Sequence, residues 1–257
     1  MYETQPTASP DMARPEAPTG RPSHRFVAAL AVLAAVLLAA GTLLHPADAD
    51  AGVPAAAFAE YAGVSRAAWV ASHLLQLGGV AGTVLVAVLL ARAVDGSRGS
   101  AWVTATSVLG TAGLATAVVL QAVDGVALKA VVDLWSQAEA DRPQLFAAAL
   151  AVRQVEIGLA ALFALVLAAA FLALGSGLLT APAGSRGLGG LAVVAAAAGA
   201  VDAGAMALSG FSAGTMLVTA VSGPLALLWL LAAAVWSWRR AALHGRAQAA
   251  PASAARS

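Results

Sequence analysis

The sequence contains no cysteine, and few of its 257 residues are charged. Without cysteine, disulfides, thiolate metal ligands and a cysteine nucleophile are all excluded. Asp, Glu, Lys and Arg make up 11% of the chain, whereas a soluble globular protein has about 25%. No basic stripe with interleaved aromatic residues occurs, so nothing in the sequence favours nucleic-acid binding. The lipid bilayer is the partner that this composition predicts.

Hydrophobic residues make up 60% of the chain, and they are grouped in long apolar segments. Crossing the hydrocarbon core of a bilayer takes about 20 helical residues. The sequence therefore predicts an all-α, polytopic membrane helix bundle with six transmembrane helices. The predicted spans are residues 26–44, 68–94, 101–123, a part of 145–179, 187–209 and 216–238. A cleaved signal peptide is the alternative for the first span, but its apolar run exceeds the usual length of about 7–15 residues.

The predicted spans divide the chain into three parts. Residues 1–25 contain five prolines among polar residues and predict a disordered tail. Residues 26–240 form the transmembrane domain, and residues 241–257 are predicted to be a second disordered tail. Heavy use of Ala, Leu, Val and Gly favours a bacterial source.

Basic residues predict the orientation of the spans, because Lys and Arg accumulate in short cytoplasmic flanks. Ten basic residues lie in the tails and in the loops on the side of the tails, against three on the opposite side. Both termini are therefore expected in the cytoplasm, and the protein in the bacterial inner membrane. The ten are Arg14, Arg21, Arg25, Arg92, Arg98, Arg186, Arg239, Arg240, Arg246 and Arg256; the three are Arg66, Lys129 and Arg142.

Residues 125–137 are too polar to span a membrane. Lys129 and Asp133, with two neighbouring polar residues, fall on one helical face, and apolar residues fall on the other. This pattern predicts an interfacial helix on the outer side, continuing from span three and capping the mouth of the bundle.

In span two, Gly78 and Gly82 form a small-xxx-small pair, which predicts close packing against another helix.

Several spans place polar residues in the predicted outer half of the bundle, whereas the cytoplasmic half is almost purely apolar. Ionisable groups inside a membrane are expensive and need partners. The asymmetry predicts a polar cavity that opens outward. Asp202 is the only charge in span five, and Arg153 is its expected partner. The candidate binding residues are His73, Gln76, Gln121, Asp124, Arg153, Glu156 and Asp202.

At Arg153-Gln154-Val155-Glu156 the chain resembles the DUF4386-like family of six-helix bacterial membrane proteins of unknown function. Members of that family carry an Arg-x-x-Glu pair in the fourth helix and often a second helix that reads like residues 73–77, HLLQL. Residues 121–129 depart from the family pattern. The resemblance implies a fold and a membrane location, and it implies no activity.

Four functions fit these residues. The first is binding or transport of a small polar or charged solute by the candidate residues. The second is a structural or accessory subunit in which the charges only hold helices together. The third is a metal, haem or quinone site at His45 and His73, since imidazole ligates both metals and haem. The fourth is a hydrolase built on Glu156, Asp202 and His73, although neither G-x-S-x-G nor H-E-x-x-H occurs. No catalytic residue, cofactor or metal site is assigned.

Overall fold

The structure is a computed structural model that describes residues 23–46, 52–94 and 100–254. Most of the predicted N-terminal tail, residues 1–22, lies outside the described residues, as do residues 255–257 of the predicted C-terminal tail. In the described part of the chain all regular elements are helices.

The helices follow one another with short connections. In chain order they are α1 (His24–Leu44), α2 (Pro54–Gly63), α3 (Arg66–Ala93), α4 (Ser100–Ala122), a π-helical turn (Val123–Leu128), α5 (Lys129–Gln137), α6 (Arg142–Thr180), α7 (Arg186–Ser209) and α8 (Ala213–Ala254). Six helical runs are long and apolar enough to cross a membrane. They are α1, α3, Ala101–Gln137, α6, α7 and Ala213–Leu243 of α8. The predicted all-α, six-span helix bundle is confirmed.

Serine residues set the starts of three spans. The side chains of Ser23, Ser65 and Ser185 accept hydrogen bonds from backbone N–H groups three residues later, at 3.2 to 3.3 Å. Each serine thereby satisfies a donor that the first helical turn leaves unpaired. Local sequence therefore determines where α1, α3 and α7 begin.

Two elements extend beyond the sequence prediction. Helix α2 lies between the first two predicted spans, where the sequence analysis places no element, and Pro54 occupies its first turn. Helix α8 continues to Ala254, past the predicted start of the C-terminal tail at residue 241. Residues 241–250, AALHGRAQAA, include five alanines, and alanine has the highest helix propensity.

The six long helices pack in a closed ring, and each contacts the two beside it. Their order around the ring is α1, α3, α4, α6, α7 and α8. Small residues bring α1 and α3 close together, as the Gly78 and Gly82 pair predicts: a Cβ atom on Gly82 would lie 2.7 Å from the Cβ of Ala34. One apolar core fills the bundle towards the start of α1, and a second lies under α2 and α5. The end of the bundle that carries α2 is called the α2 end below.

The predicted extra helix after span three is present as α5, and its polar face includes a buried lysine. Lys129, assigned to the polar face, is only 2% exposed. Its amine pairs with Asp133 one turn later, and Asp133 also lies 3.4 Å from Arg66 of α3. Because α5 packs against α2 and α6, the lysine is covered, and the carboxylate makes its burial possible.

Candidate functional site

Three ionisable side chains from separate parts of the chain meet at the α2 end. His45 follows α1, His73 lies in α3, and Asp124 lies in the π-helical turn. The Nε2 atom of His73 is 2.9 Å from Oδ2 of Asp124, and the Nε2 atom of His45 is 3.8 Å from the same oxygen. One potential ligand atom from each residue lies within 4.8 Å of the others. These three residues are called the triad.

Backbone carbonyl groups fix the orientation of both imidazole rings. Nδ1 of His73 lies 2.7 Å from the carbonyl oxygen of Trp69, and Nδ1 of His45 lies 2.9 Å from that of Pro46. A carbonyl oxygen can only accept, so in both rings Nδ1 carries the hydrogen and donates it. In the neutral rings Nε2 therefore keeps its lone pair, and in both residues Nε2 faces Asp124.

The contact between His73 and Asp124 is close but is not a well-formed hydrogen bond. His73 is 2% exposed, and its buried Nε2 makes no hydrogen bond of acceptable geometry to any described residue. The contact is an ion pair when the ring is protonated, because Nε2 then carries a hydrogen and the carboxylate a negative charge; in the neutral ring Nε2 offers its lone pair instead. A lone pair held 2.9 Å from a carboxylate oxygen is placed to share a cation with it.

The π-helical turn brings Asp124 to the histidines. Gly125 allows the turn to pack directly on His73, since a Cβ atom there would lie 3.0 Å from both Cβ and Cγ of the histidine. The indole Nε1 of Trp69 donates to the carbonyl oxygen of Asp124 at 3.1 Å. Single π-helical turns within α-helices are frequent at functional sites. Here the turn directs Asp124 towards α3.

Gln76 and Gln121 form a polar layer next to the triad. The amide of Gln121 donates to Oε1 of Gln76 at 3.4 Å, and the amide of Gln76 donates to the carbonyl oxygen of Gly41 at 3.4 Å. Oε1 of Gln121 is buried and has no hydrogen-bond partner among the described residues. Four of the predicted site residues, His73, Gln76, Gln121 and Asp124, thus lie together.

Arg153 lies in an aromatic environment that sequence analysis does not predict. Its guanidinium carbon is 5.4 to 5.8 Å from the ring centroids of Phe58, Tyr61 and Phe211, and Nη1 donates to the Tyr61 hydroxyl at 3.4 Å. A desolvated cation against aromatic faces is stabilised by about 2 kcal/mol. Glu156, one turn later, is also buried.

Helix α2 connects the surroundings of Arg153 with the triad. The ring of Tyr61 lies 6.4 Å from that of His45 and 4.8 Å from that of Trp69. The same residue accepts the hydrogen bond from Arg153. Tyr61, Phe58 and Phe211 are neighbours of Arg153 that sequence analysis does not identify. The five alanines of α2, PAAAFAEYAG, favour a helix, but nothing in that composition indicates that its aromatic residues contact Arg153.

Asp202 is separate from the other predicted residues. Its carboxylate oxygens accept hydrogen bonds from Thr219 at 2.7 Å and Ser222 at 2.9 Å, both in α8. The expected pairing with Arg153 is replaced by these hydroxyl groups. The two residues do not pair because they lie at different heights along the axis of α7. Arg153 lies against Phe211, beyond the end of α7, whereas Asp202 lies two turns before that end.

Comparisons with protein-family models, curated proteins and solved structures gave no match. The chemistry of the triad follows from the residues and distances described above.

Proposed function

We propose that this membrane protein binds a small charged solute, a divalent transition-metal cation, at the triad of His45, His73 and Asp124. The observation that carries the proposal is that three ligand atoms from separate parts of the chain lie within 4.8 Å of one another. Imidazole nitrogens suit zinc, copper, iron and nickel, and a carboxylate adds the negative charge that a divalent ion requires. Both rings are held through Nδ1, which is how metal-binding histidines are usually oriented.

The distances support a metal ion at this position. Zinc bonds to nitrogen or oxygen at about 2.0–2.2 Å, so neighbouring ligand atoms of a tetrahedral site lie about 3.3–3.6 Å apart. The separations of 2.9 and 3.8 Å from Asp124 Oδ2 need little adjustment to reach that spacing. Three protein ligands leave one tetrahedral position open for water or for an exchange partner. The side chains of His45 and Asp124 are 23% and 15% exposed, which gives an ion a route to the triad.

We further propose that the membrane is the bacterial inner membrane, that both termini are cytoplasmic and that the triad faces outward. The distribution of basic residues supports this orientation. Because the chain has no cysteine, single cysteines can report it. A cysteine at exposed Glu139 should react with an impermeant maleimide in intact cells, and one at exposed Ala183 should react only after lysis. The reverse labelling pattern would overturn the orientation.

Direct titration tests the proposed metal binding. Purified full-length protein, stripped with a chelator, should bind Zn²⁺ saturably with one ion per chain in calorimetry. Co²⁺ should give the visible absorption bands of a low-coordinate site, and Mg²⁺, which prefers an all-oxygen octahedron, should not compete. Absence of saturable Zn²⁺ and Co²⁺ binding would overturn the proposal.

The structural alternative applies best to Arg153 and Glu156. The aromatic rings around Arg153 and its bond to Tyr61 support a role in holding α2 on α6. The resemblance to the DUF4386-like family rests on these two residues and on residues 73–77, and it remains a prediction. On this division of roles, the triad binds the ion and Arg153 stabilises the helices that surround it.

A further inference from the structure

The carboxylate of Asp202 lies at a level where the described residues of its two neighbouring helices, α6 and α8, include no cation. Gly199 of α7 faces Ala168 of α6, and Gly210, just after α7, faces Ile157. Asp202 therefore lies level with residues 157–168 of α6, which read IGLAALFALVLA and include no ionisable residue.

The other neighbour of α7 supplies no charge either. Residues 213–238 of α8 contain no ionisable residue, and the closest ionisable residues along α6 are Arg153 and Glu156, nearer the α2 end. Asp202 itself is 5% exposed. An ionised carboxylate is expensive in such surroundings unless it meets a cation or takes up a proton.

The two hydroxyl groups that bind Asp202 each have a second acceptor within reach. Thr219 Oγ1 lies 2.7 Å from Asp202 Oδ1 and 3.1 Å from the carbonyl oxygen of Thr215. Ser222 Oγ lies 2.9 Å from Asp202 Oδ2 and 3.3 Å from the carbonyl oxygen of Thr219. A hydroxyl has one hydrogen, so it donates to one of these acceptors at a time.

This arrangement can satisfy both protonation states of Asp202. In the ionised state, both hydroxyls donate to the carboxylate. When a proton adds to one carboxylate oxygen, the new O–H donates to a hydroxyl oxygen, and that hydroxyl turns its own hydrogen to the carbonyl of its helix. Release of the proton reverses these rotations, and no other bond is made or broken.

A row of hydroxyl groups leads from the α7–α8 connection to Asp202. Ser212, Thr215, Thr219 and Ser222 follow at the spacing of one helical face. Oγ of Ser212 lies 3.0 Å from Oγ1 of Thr215, and the carbonyl of Thr215 is the second acceptor of Thr219. The first of these residues lies in the connection itself, outside the helices.

We infer that Asp202 is a reversible proton-binding site, separate from the triad and reached along this hydroxyl face of α8. The inference rests on the two hydroxyl groups with alternative acceptors and on the absence of a cation at that level of α6 and α8. It gives the protein a second ionic site, for a monovalent ligand, in addition to the proposed divalent one.

Infrared difference spectroscopy of the full-length protein tests this inference. Wild type should show the C=O band of a buried carboxylic acid, and its intensity should fall as the pH is raised within the range of native circular dichroism. Asp202→Asn should lose this band. Asp133→Asn, a carboxylate already paired with Lys129, is the matched control and should retain it.

Two further variants test the inference if Asp202→Asn does not fold. Thr219→Val and Ser222→Ala leave the carboxyl group in place but remove a hydrogen-bond partner, so the band should shift in frequency. Identical spectra for wild type and these variants, or for wild type and Asp202→Asn, would overturn the inference. Loss of the band when NaCl replaces choline chloride at constant pH would also overturn it, in favour of a sodium site.

Discussion

Replacing His73 by leucine is expected to lower the affinity for Zn²⁺ at least about 100-fold, because altering even an outer-shell partner of a metal ligand costs about 10–100-fold. His73 is the most deeply buried member of the triad, and the substitution removes the Nε2 atom that faces Asp124. Leucine leaves the backbone satisfied, since Ser72 Oγ also donates to the carbonyl oxygen of Trp69, at 2.7 Å. Asp124 nevertheless loses its closest side-chain partner, so the binding effect is judged against the stability of each variant without Zn²⁺.

The measurement is calorimetry together with thermal unfolding in detergent. Zn²⁺ at 100 times its dissociation constant should stabilise wild type by about 2.7 kcal/mol, and the same concentration should leave His73→Leu unchanged. His24→Leu is the matched control, because His24 packs on Trp236 at the opposite end of α1. Wild-type affinity in His73→Leu would exclude the triad as the metal site. Equal losses in both variants would point to non-specific binding by histidine.

Sequence periodicity predicts the six spans because the bilayer imposes one simple requirement, a long apolar helix. It also identifies His73 and Asp124 as residues near one end of the bundle. Their contact depends on the π-helical turn, where the chain departs from 3.6 residues per turn. An extrapolation from regular helical spacing cannot predict which neighbour Asp124 then faces.

The expected pairing of Arg153 with Asp202 shows a second limit. Residue counting gives an approximate depth along each helix, and both residues are in the predicted outer half. The register between α6 and α7 is set by contacts such as Gly199 on Ala168, which composition does not reveal. Aromatic partners for Arg153 come from α2 and from Phe211, which lie in connections between the predicted spans. The site residues are therefore identified more reliably than their partners.

Gly79→Val is expected to disrupt the packing of α1 against α3. A Cβ atom at Gly79 would lie 2.6 Å from the backbone nitrogen and 2.7 Å from the Cα of Leu38. A backbone cannot rotate away as the end of a side chain can, so the helices must separate. Overpacking of this kind costs about 1–3 kcal/mol, and contact with a backbone places this variant at the upper end.

The matched control is Gly204→Val, which makes the same helix-propensity change in α7, where a Cβ atom meets nothing within 4 Å. Thermal unfolding should show a large loss of stability for Gly79→Val and little for Gly204→Val, and equal stability of the two variants would contradict the close packing.

The packing of α1 against α3 also affects the triad. His45 follows α1 and His73 lies in α3, so separating the two helices moves one ligand from the other. Folded Gly79→Val protein should therefore also bind Zn²⁺ more weakly than Gly204→Val, without any change in the ligands themselves.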